Sequence, residues 1–209
     1  MPDSKLPGNG DPLASTENPD ADSLREKGIS SKELVDGKLL HAFRDYVETP
    51  SGDESVREWI RHPGAAAIVP LFADGSTLLV RQFRYPTGRT FLELPAGKRD
   101  AGDDPETTAH RELMEETGLS AKKLTPLGPL FPGIGYSDEI IWFFLAEELT
   151  ESGTQSLDAG EAVQPVRLPF AEAVARAQRG DLGDMKTVAG LLMADAHLKN
   201  HSEQRSAEE

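Results

Sequence analysis

Three glutamates lie close together in one short predicted helix of the chain: Glu112, Glu115 and Glu116. Residues three and four apart face the same side of an α-helix, so the three carboxylates should form one edge. Arg111 can pair with Glu115 at i,i+4, but one arginine cannot neutralise three glutamates. A hard divalent cation such as Mg²⁺ or Mn²⁺ would relieve the repulsion, because it takes carboxylate oxygens together with substrate phosphates. The edge is therefore a candidate metal site, and the alternative is a solvated acidic face.

The sequence marks both ends of this helix. Asp104 suits the N-cap, Pro105 suits the first helical position, and Glu106 lies at the positive end of the helix dipole. Gly118 stands where a left-handed C-cap is expected. A tight loop that starts at Gly97 leads into the helix, so the acidic edge has a defined position in the chain.

Composition limits the classes of function. The chain has 209 residues and a formal net charge of −14, so neither nucleic acid nor an anionic membrane is expected as a partner, because both select basic surfaces. The chain has no cysteine, which excludes disulfides, thiolate chemistry and cysteine zinc sites. No apolar run reaches the roughly 20 residues of a membrane span, and the first residues lack the apolar core of a signal peptide. We expect a cytoplasmic protein.

The order of predicted elements indicates an α+β fold with four regions. Residues 1–30 are predicted to be a disordered arm, because prolines and small polar residues dominate them. Residues 31–62 are predicted to be a β region, with strand-like runs at 38–48 and 55–61. Residues 63–200 are expected to form the main domain, and residues 201–209 a polar tail.

Within the main domain, residues 64–72 are apolar on both faces and predict a central strand. A turn at 73–76 predicts a hairpin with the next strand at 77–84. Further strands are predicted at 90–94, 123–130 and 139–149, the last being the run with the highest β propensity. After a polar loop at about 150–164, two amphipathic helices are predicted at 170–179 and 185–198.

The region from Gly97 to Leu119 resembles the Nudix box, the signature of the Nudix hydrolases. The residues that carry the resemblance are Gly97, Asp103, Arg111-Glu112-Leu113, Glu115-Glu116 and Gly118-Leu119. Asp103 stands where the family usually has glutamate, a departure that affects loop packing more than chemistry. The resemblance therefore implies the Nudix fold, with a mixed β-sheet sandwiched between helices and an N-terminal antiparallel β region.

Further segments are similar to the ADP-ribose pyrophosphatase branch of that family, over about residues 35–198. They are Arg57-Glu58, Arg81-Gln82-Phe83-Arg84, Glu93-Leu94-Pro95-Ala96-Gly97 and Gly135-Tyr136-Ser137-Asp138-Glu139. This branch implies a metal-dependent hydrolase that splits ADP-ribose into AMP and ribose 5-phosphate. It also implies a homodimer in which the N-terminal strands are exchanged between the subunits.

The metal ligands expected first are Glu112 and Glu116, with Glu115 completing the cluster. The resemblance adds the backbone carbonyl of Ala96 and implies two or three ions, Mg²⁺ or Mn²⁺, in each site. It also implies a general base from the loop before the last strand. Counting back from Pro169 favours Glu161 there, as base and as a further metal ligand.

The assignment of the base leaves alternatives open. Asp158 lies in the same loop as Glu161, and either acid can equally be a solvated loop residue, because such loops align poorly. If neither of them acts, Glu115 is the next candidate for the catalytic base.

Arginines at 57 and 84 have the guanidinium fork that grips phosphate or a purine edge, and their alternative is a surface ion pair. The resemblance implies further substrate contacts from Glu58, Lys98, Ser137, Asp138 and Glu139. Ile134 stands where the ADP-ribose branch commonly has proline, which leaves room for other nucleoside diphosphate sugars such as GDP-mannose. A catalytically silent Nudix protein that senses a nucleotide is the alternative from another functional class.

Overall fold

The computed structural model describes residues 21–38, 40–157 and 162–208. The chain divides into two compact units, which are taken separately below. The first comprises Met1–His62 together with Gly133–Asp138, and the second comprises Pro63–Pro132 and Glu139–Glu209. No helix within the described ranges is long and apolar enough to cross a membrane.

The first unit contains a three-stranded antiparallel sheet in the order β1-β2-β3. Its strands are β1 (Lys27–Asp36), β2 (His41–Glu48) and β3 (Glu54–Arg61). Phe43 stacks on Trp59 with ring centroids 5.0 Å apart, and Phe43 and Val47 are its buried large apolar residues among those described. The predicted antiparallel N-terminal β region is confirmed.

Strand β1 is an element that the sequence patterns did not predict. Its first four residues, 27–30, fall in the region expected to be a disordered arm, of which residues 1–20 lie outside the described residues. All ten β1 residues are exposed, so the strand lacks the alternation of buried and exposed positions that makes a strand visible in a sequence. Its pairing with β2, from Lys27 opposite Glu48 to Asp36 opposite His41, defines it instead.

The second unit is built around a mixed four-stranded sheet in the order β7-β4-β9-β8, with β4 and β9 parallel. Its strands are β4 (Ala65–Pro70), β7 (Ala96–Lys98), β8 (Leu119–Leu130) and β9 (Ile141–Glu151). Every residue of β4 is buried, as predicted for the central strand.

Three helices cover the two faces of this sheet: α1 (Pro105–Thr117), α2 (Phe170–Arg179) and α3 (Met185–Glu208). Ala66 and Ile68 of β4 belong to the same core cluster as Leu113 of α1. The alternate β4 positions Ala65, Ala67 and Val69 belong to the cluster that includes α2 and α3. The predicted α+β fold with a mixed sheet between helices is therefore confirmed.

A second sheet corrects the predicted hairpin between 64–72 and 77–84. It is antiparallel, in the order β10-β5-β6, with strands β5 (Ser76–Arg84), β6 (Arg89–Glu93) and β10 (Val163–Pro169). The turn itself exists, since the Phe72 amide bonds to the Ser76 carbonyl. Beyond one bridge between Leu71 and Thr77 the strands separate, because β7 and β9 already occupy both edges of β4.

Two element boundaries also differ from the predictions. Helix α3 continues to Glu208 and so includes residues 201–208 of the segment 201–209 that is predicted to be a polar tail. Strand β10 begins at Val163, inside the predicted polar loop. Polar composition alone did not distinguish the end of a helix from a tail, or the start of a strand from a loop.

Gly118, the C-cap of α1, gives a test of this packing. Its φ is 71° and an added Cβ would lie 2.6 Å from the backbone oxygen of Gly153. Gly88 has a similar φ of 64° but open space around it. We predict that Gly88→Ala costs about 1 kcal/mol of unfolding free energy, and that Gly118→Ala costs a further ~1–3 kcal/mol because backbone must move. Urea unfolding of both variants measures the difference, and equal losses would contradict the packing.

Candidate active site

Helix α1 presents the glutamate edge from a fixed position. Asp104 caps it, since its Oδ1 accepts from the Thr107 amide at 2.8 Å, and Pro105 is the first helical residue. At the other end, the Gly118 amide donates to the Met114 carbonyl at 2.8 Å. Both predicted ends of the helix are confirmed. Because one side of α1 is fully buried in the core, the edge cannot rotate away from the sheet.

Two of the three glutamates are buried in this position. Glu112 is 9% exposed and Glu116 is 5% exposed, whereas the Glu115 side chain is 36% exposed. The Ala96 amide donates to Glu116 Oε2 at 3.1 Å. A Cβ on Gly97 would clash with the Glu112 carboxylate. The strand β7 therefore passes directly against both buried carboxylates, and a side chain at position 97 would force the Glu112 carboxylate to move.

Arg111 ties the same helix to β7. Its Nη1 donates to Glu112 Oε1 at 2.7 Å and to Glu115 Oε2 at 3.0 Å, and its Nη2 donates to the Lys98 carbonyl at 2.9 Å. Burial opposes the charge of the guanidinium, but Glu112 and Glu115 outweigh burial and raise the pKa of Arg111. The predicted pair with Glu115 is confirmed, and the contact with Glu112 is additional.

The donor set fits a hard divalent cation. Carboxylates are costly to bury unless positive charge balances them, and Arg111 offsets only one of the three negative charges of the edge. Carboxylate oxygens, together with a backbone carbonyl such as that of Ala96, whose amide bonds to Glu116, are the ligands that Mg²⁺ and Mn²⁺ prefer. Because residue 97 is glycine, no side chain of β7 fills the space beside the Glu112 carboxylate.

Arg84, predicted to hold substrate, is part of an ion-pair network in the second unit. Its Nε and Nη2 donate to Glu93 Oε1 and Oε2 at 2.8 and 2.7 Å, and Lys186 Nζ donates to Glu93 Oε2 at 2.8 Å. Glu93 is only 3% exposed. Burial favours the neutral form of this carboxyl, but Arg84 and Lys186 outweigh it and lower the pKa of Glu93.

The network continues to the start of α3. Lys186 Nζ also donates to Asp184 Oδ2 at 2.8 Å, and the same oxygen accepts from the Thr187 amide at 3.0 Å. Thr187 is fully buried, and its hydroxyl oxygen accepts from the Leu94 amide at 2.8 Å. The chain segment that leads to Ala96 and Gly97 is therefore fixed to α3 as well as to α1.

Sequence patterns missed Lys186, Asp184 and Thr187 as residues of this site. Asp184 carried one usable signal, since an acid directly before an amphipathic helix favours an N-cap. Lys186 carried none, because a lysine in the first turn of a helix is typical of a solvated position. Glu93 belongs to a segment that resembles the ADP-ribose branch, but no role for its side chain is predicted from the sequence.

The substrate residues predicted in the first unit make ion pairs and backbone bonds there. Arg57 pairs with Glu26 through Nε at 2.9 Å and through Nη2. Glu58 Oε1 accepts from Arg44 Nε at 2.9 Å. The surface ion pair that the sequence left as an alternative for Arg57 is thus present in the described chain.

Loop residues 137 and 138, also in the first unit, are anchored to β3. The Ser137 amide donates to the Gly133 carbonyl at 2.9 Å, and Ser137 bridges to Ile60. Asp138 Oδ1 accepts from the His62 amide at 2.7 Å. Both side chains are half-buried, so this loop is an ordered part of the unit.

The remaining predicted residues belong to the second unit. Lys98 is exposed on β7, and Glu139 is half-buried. Asp158 and Glu161 lie outside the described residues. The segment before them is tied to the end of α1, since the Ser156 amide donates to the Glu115 carbonyl at 2.9 Å. Gln155 Nε2 donates to the Glu116 carbonyl at 2.7 Å.

A different group of acids and an imidazole lies in the first unit. His41 Nδ1 is 3.1 Å from Asp36 Oδ1 and 3.6 Å from Glu33 Oε1. Both acids are exposed and the imidazole is half-buried. Water solvates such groups without a metal ion, so we interpret this group as ion pairing between β1 and β2.

Comparison with known proteins agrees with this geometry. The family model described as NUDIX domain matches residues 61–189. The ADP-ribose pyrophosphatase of Bacillus subtilis is 40% identical over 166 residues, which cover 79% of this chain and 90% of that protein. The GDP-mannose pyrophosphatase of Yersinia pestis is 32% identical over 174 residues, which cover 76% of this chain and 85% of that protein.

A solved structure supports the fold. The structure titled as an ADP compounds hydrolase superposes with a TM-score of 0.74 at 23% identity, covering 85% of this chain and 96% of that chain. At this level of identity the likeness concerns the arrangement of the backbone. It agrees with a mixed sheet held between helices and preceded by an antiparallel sheet.

Proposed function

The chain belongs to the Nudix family, and on that premise we propose that it hydrolyses the diphosphate bond of ADP-ribose, giving AMP and ribose 5-phosphate. The observation that carries the proposal is the burial of Glu112 and Glu116 against β7, with the backbone of Gly97 directly beside the Glu112 carboxylate. The name of the Bacillus subtilis relative supports this choice of substrate. We keep the cytoplasm as the proposed location.

Nudix hydrolases need divalent metal ions, and the glutamate edge fits such ions. We propose that two or three Mg²⁺ ions, or Mn²⁺ in their place, are held by a set of oxygen ligands. That set is Glu112, Glu115, Glu116, Glu161 and the carbonyl of Ala96. When bound, ions of this kind neutralise phosphate oxygens and lower the pKa of a coordinated water.

The side chains of the protein supply orientation and proton transfer. Arg84 is proposed to grip the diphosphate, because a guanidinium forms two parallel hydrogen bonds with phosphate oxygens. Glu161 is proposed to take the proton from the attacking water, with Glu115 as the next candidate. The further substrate contacts proposed are Arg57, Glu58, Lys98, Ser137, Asp138 and Glu139.

A broader nucleoside diphosphate sugar pyrophosphatase is the second candidate. Ile134 is 84% exposed at the position where the ADP-ribose branch commonly has proline, and one relative is named a GDP-mannose pyrophosphatase. A silent nucleotide sensor is disfavoured, because such a protein would be expected to lose one of the edge glutamates and this chain retains all three.

A substrate panel tests the function. With Mg²⁺ and ADP-ribose, GDP-mannose, UDP-glucose or dinucleoside polyphosphates, we expect the highest kcat/KM for ADP-ribose. Higher kcat/KM for GDP-mannose would favour the second candidate.

The Glu116→Gln variant tests the metal edge. It should stay folded and its kcat should fall by on the order of 10³ or more, because the amide keeps the shape of the side chain but not its charge. Near wild-type turnover of folded Glu116→Gln would contradict the metal edge.

The base has its own test. If Glu161 activates the water, Glu161→Gln should lower kcat by roughly 10²- to 10⁴-fold with little change in KM. Asp158→Asn is the matched control, since it lies in the same loop and should be mild. Steady-state kinetics at several Mg²⁺ concentrations separates a base from a metal ligand, whose loss shrinks as Mg²⁺ rises. A crippling Asp158→Asn beside a harmless Glu161→Gln would exchange the two roles.

We also propose that the β region of residues 31–62 joins two copies of the chain, with the N-terminal strands exchanged. Support comes from β1, which is exposed along its whole length and carries Ile29, Leu34 and Val35 at 51%, 41% and 47% exposure. An exposed edge strand with exposed apolar side chains is a common partner surface.

Sedimentation velocity tests the dimer. At micromolar concentration the wild type should sediment as twice the 22.7 kDa chain, and Leu34→Asp with Val35→Asp should shift it to the monomer because charge is costly in an apolar interface. Leu192→Asp, at a position of α3 that is 36% exposed, is the control and should leave the dimer intact. A fully active wild-type monomer would contradict the proposal.

A further inference from the structure

We propose that Lys186 is a positioning residue for Arg84: it neutralises the buried Glu93 so that the Arg84 guanidinium stays available to the substrate diphosphate. The inference rests on the proposed function, because it takes Arg84 as a substrate ligand. It goes further by assigning to α3 a part in substrate affinity that the glutamate edge does not need.

The first observation is that one buried carboxylate has two cationic partners. Glu93 is 3% exposed and accepts from both Arg84 and Lys186. The two cations differ in burial, since the Lys186 side chain is 14% exposed and the Arg84 side chain is 43% exposed. Lys186 is thus the inner partner and Arg84 the outer one.

The second observation is the geometry of Arg84. The two hydrogen bonds that Arg84 donates to Glu93 come from Nε and Nη2, so Nη1 takes no part in this ion pair. A planar guanidinium held along one edge by a carboxylate presents its remaining N–H groups in a fixed direction. Glu93 therefore orients the arginine without using all of its donors.

The third observation is that Lys186 itself is held in place. Its ammonium also donates to Asp184 Oδ2 at 2.8 Å, and Asp184 is bound to Thr187 at the start of α3. Two carboxylates, Glu93 and Asp184, face two cations, Lys186 and Arg84. The group is balanced as a whole, and Lys186 lies between both acids.

These observations give Lys186 a defined effect on binding. A buried carboxylate holds its remaining cation strongly when another partner is removed, because leaving it unpaired is costly. Without Lys186, the charge of Arg84 would be drawn inward to Glu93 and Asp184 and would attract phosphate less. With Lys186 present, Arg84 can bind the substrate phosphate while Lys186 still neutralises the buried Glu93 carboxylate.

A double-mutant cycle tests this directly. The Kd of ADP-ribose is measured by calorimetry in EDTA, where no turnover occurs, for wild type, Arg84→Met, Lys186→Met and the double variant. We expect Lys186→Met to weaken binding by about tenfold in the wild-type background and not at all in the Arg84→Met background. Lys186→Arg, which keeps the charge, should bind nearly as wild type. With Mg²⁺, Lys186→Met should raise KM and leave kcat nearly unchanged.

An equal loss from Lys186→Met in both backgrounds, or no loss in either, overturns the inference. If Lys186→Met does not fold, Glu93→Gln and the double variant Glu93→Gln/Lys186→Met replace it, since the latter removes opposite charges together. Equal Kd values for those two support the inference, and a weaker double variant overturns it. A wild-type chain that neither binds nor cleaves ADP-ribose overturns the proposed function itself, and the inference with it.

Discussion

Two like charges buried one helical turn apart are the constraint on which the rest of this structure depends. Glu112 and Glu116 share one side of α1 and are both largely shielded from water. Such an arrangement is unfavourable unless positive charge and hydrogen bonds are supplied to it. Arg111 supplies positive charge to Glu112, and the Ala96 amide supplies a hydrogen bond to Glu116. A divalent cation is the chemical species that we propose to complete it.

The five residues from Glu93 to Gly97 make the contacts that hold this arrangement in place. The Leu94 amide bonds to Thr187 of α3, the Ala96 amide bonds to Glu116 of α1, and Gly97 lies against Glu112. A Cβ on Gly190 of α3 would lie 2.5 Å from Leu94 Cδ1. One short segment therefore sets the position of the acids relative to helices on both faces of the sheet. Its ion pair with Arg84 extends the same organisation to the proposed phosphate ligand.

Local signals were enough to predict the parts of the structure that local chemistry decides. Asp104, Pro105 and Gly118 define α1 because capping depends on a few neighbouring residues, and β4 is central because every position in it is apolar. Long-range pairing was not predictable in this way. The turn at 73–76 suggested a hairpin, yet β4 and β5 join different sheets because other strands fill the edges of β4. β1 has no buried face, so its sequence shows no alternation of apolar and polar residues. The role of Lys186 depends on its ion pair with Glu93, which is remote in sequence.

The central claim is that the edge formed by Glu112 and Glu116 holds the metal ions that act on a diphosphate. Anomalous diffraction from crystals grown with Mn²⁺ and a non-hydrolysable methylene analogue of ADP-ribose measures this most directly. The account predicts Mn²⁺ peaks within coordination distance of both carboxylates and of the analogue's phosphonate oxygens. Mn²⁺ bound elsewhere, with Glu112 and Glu116 contacting only protein, would contradict it.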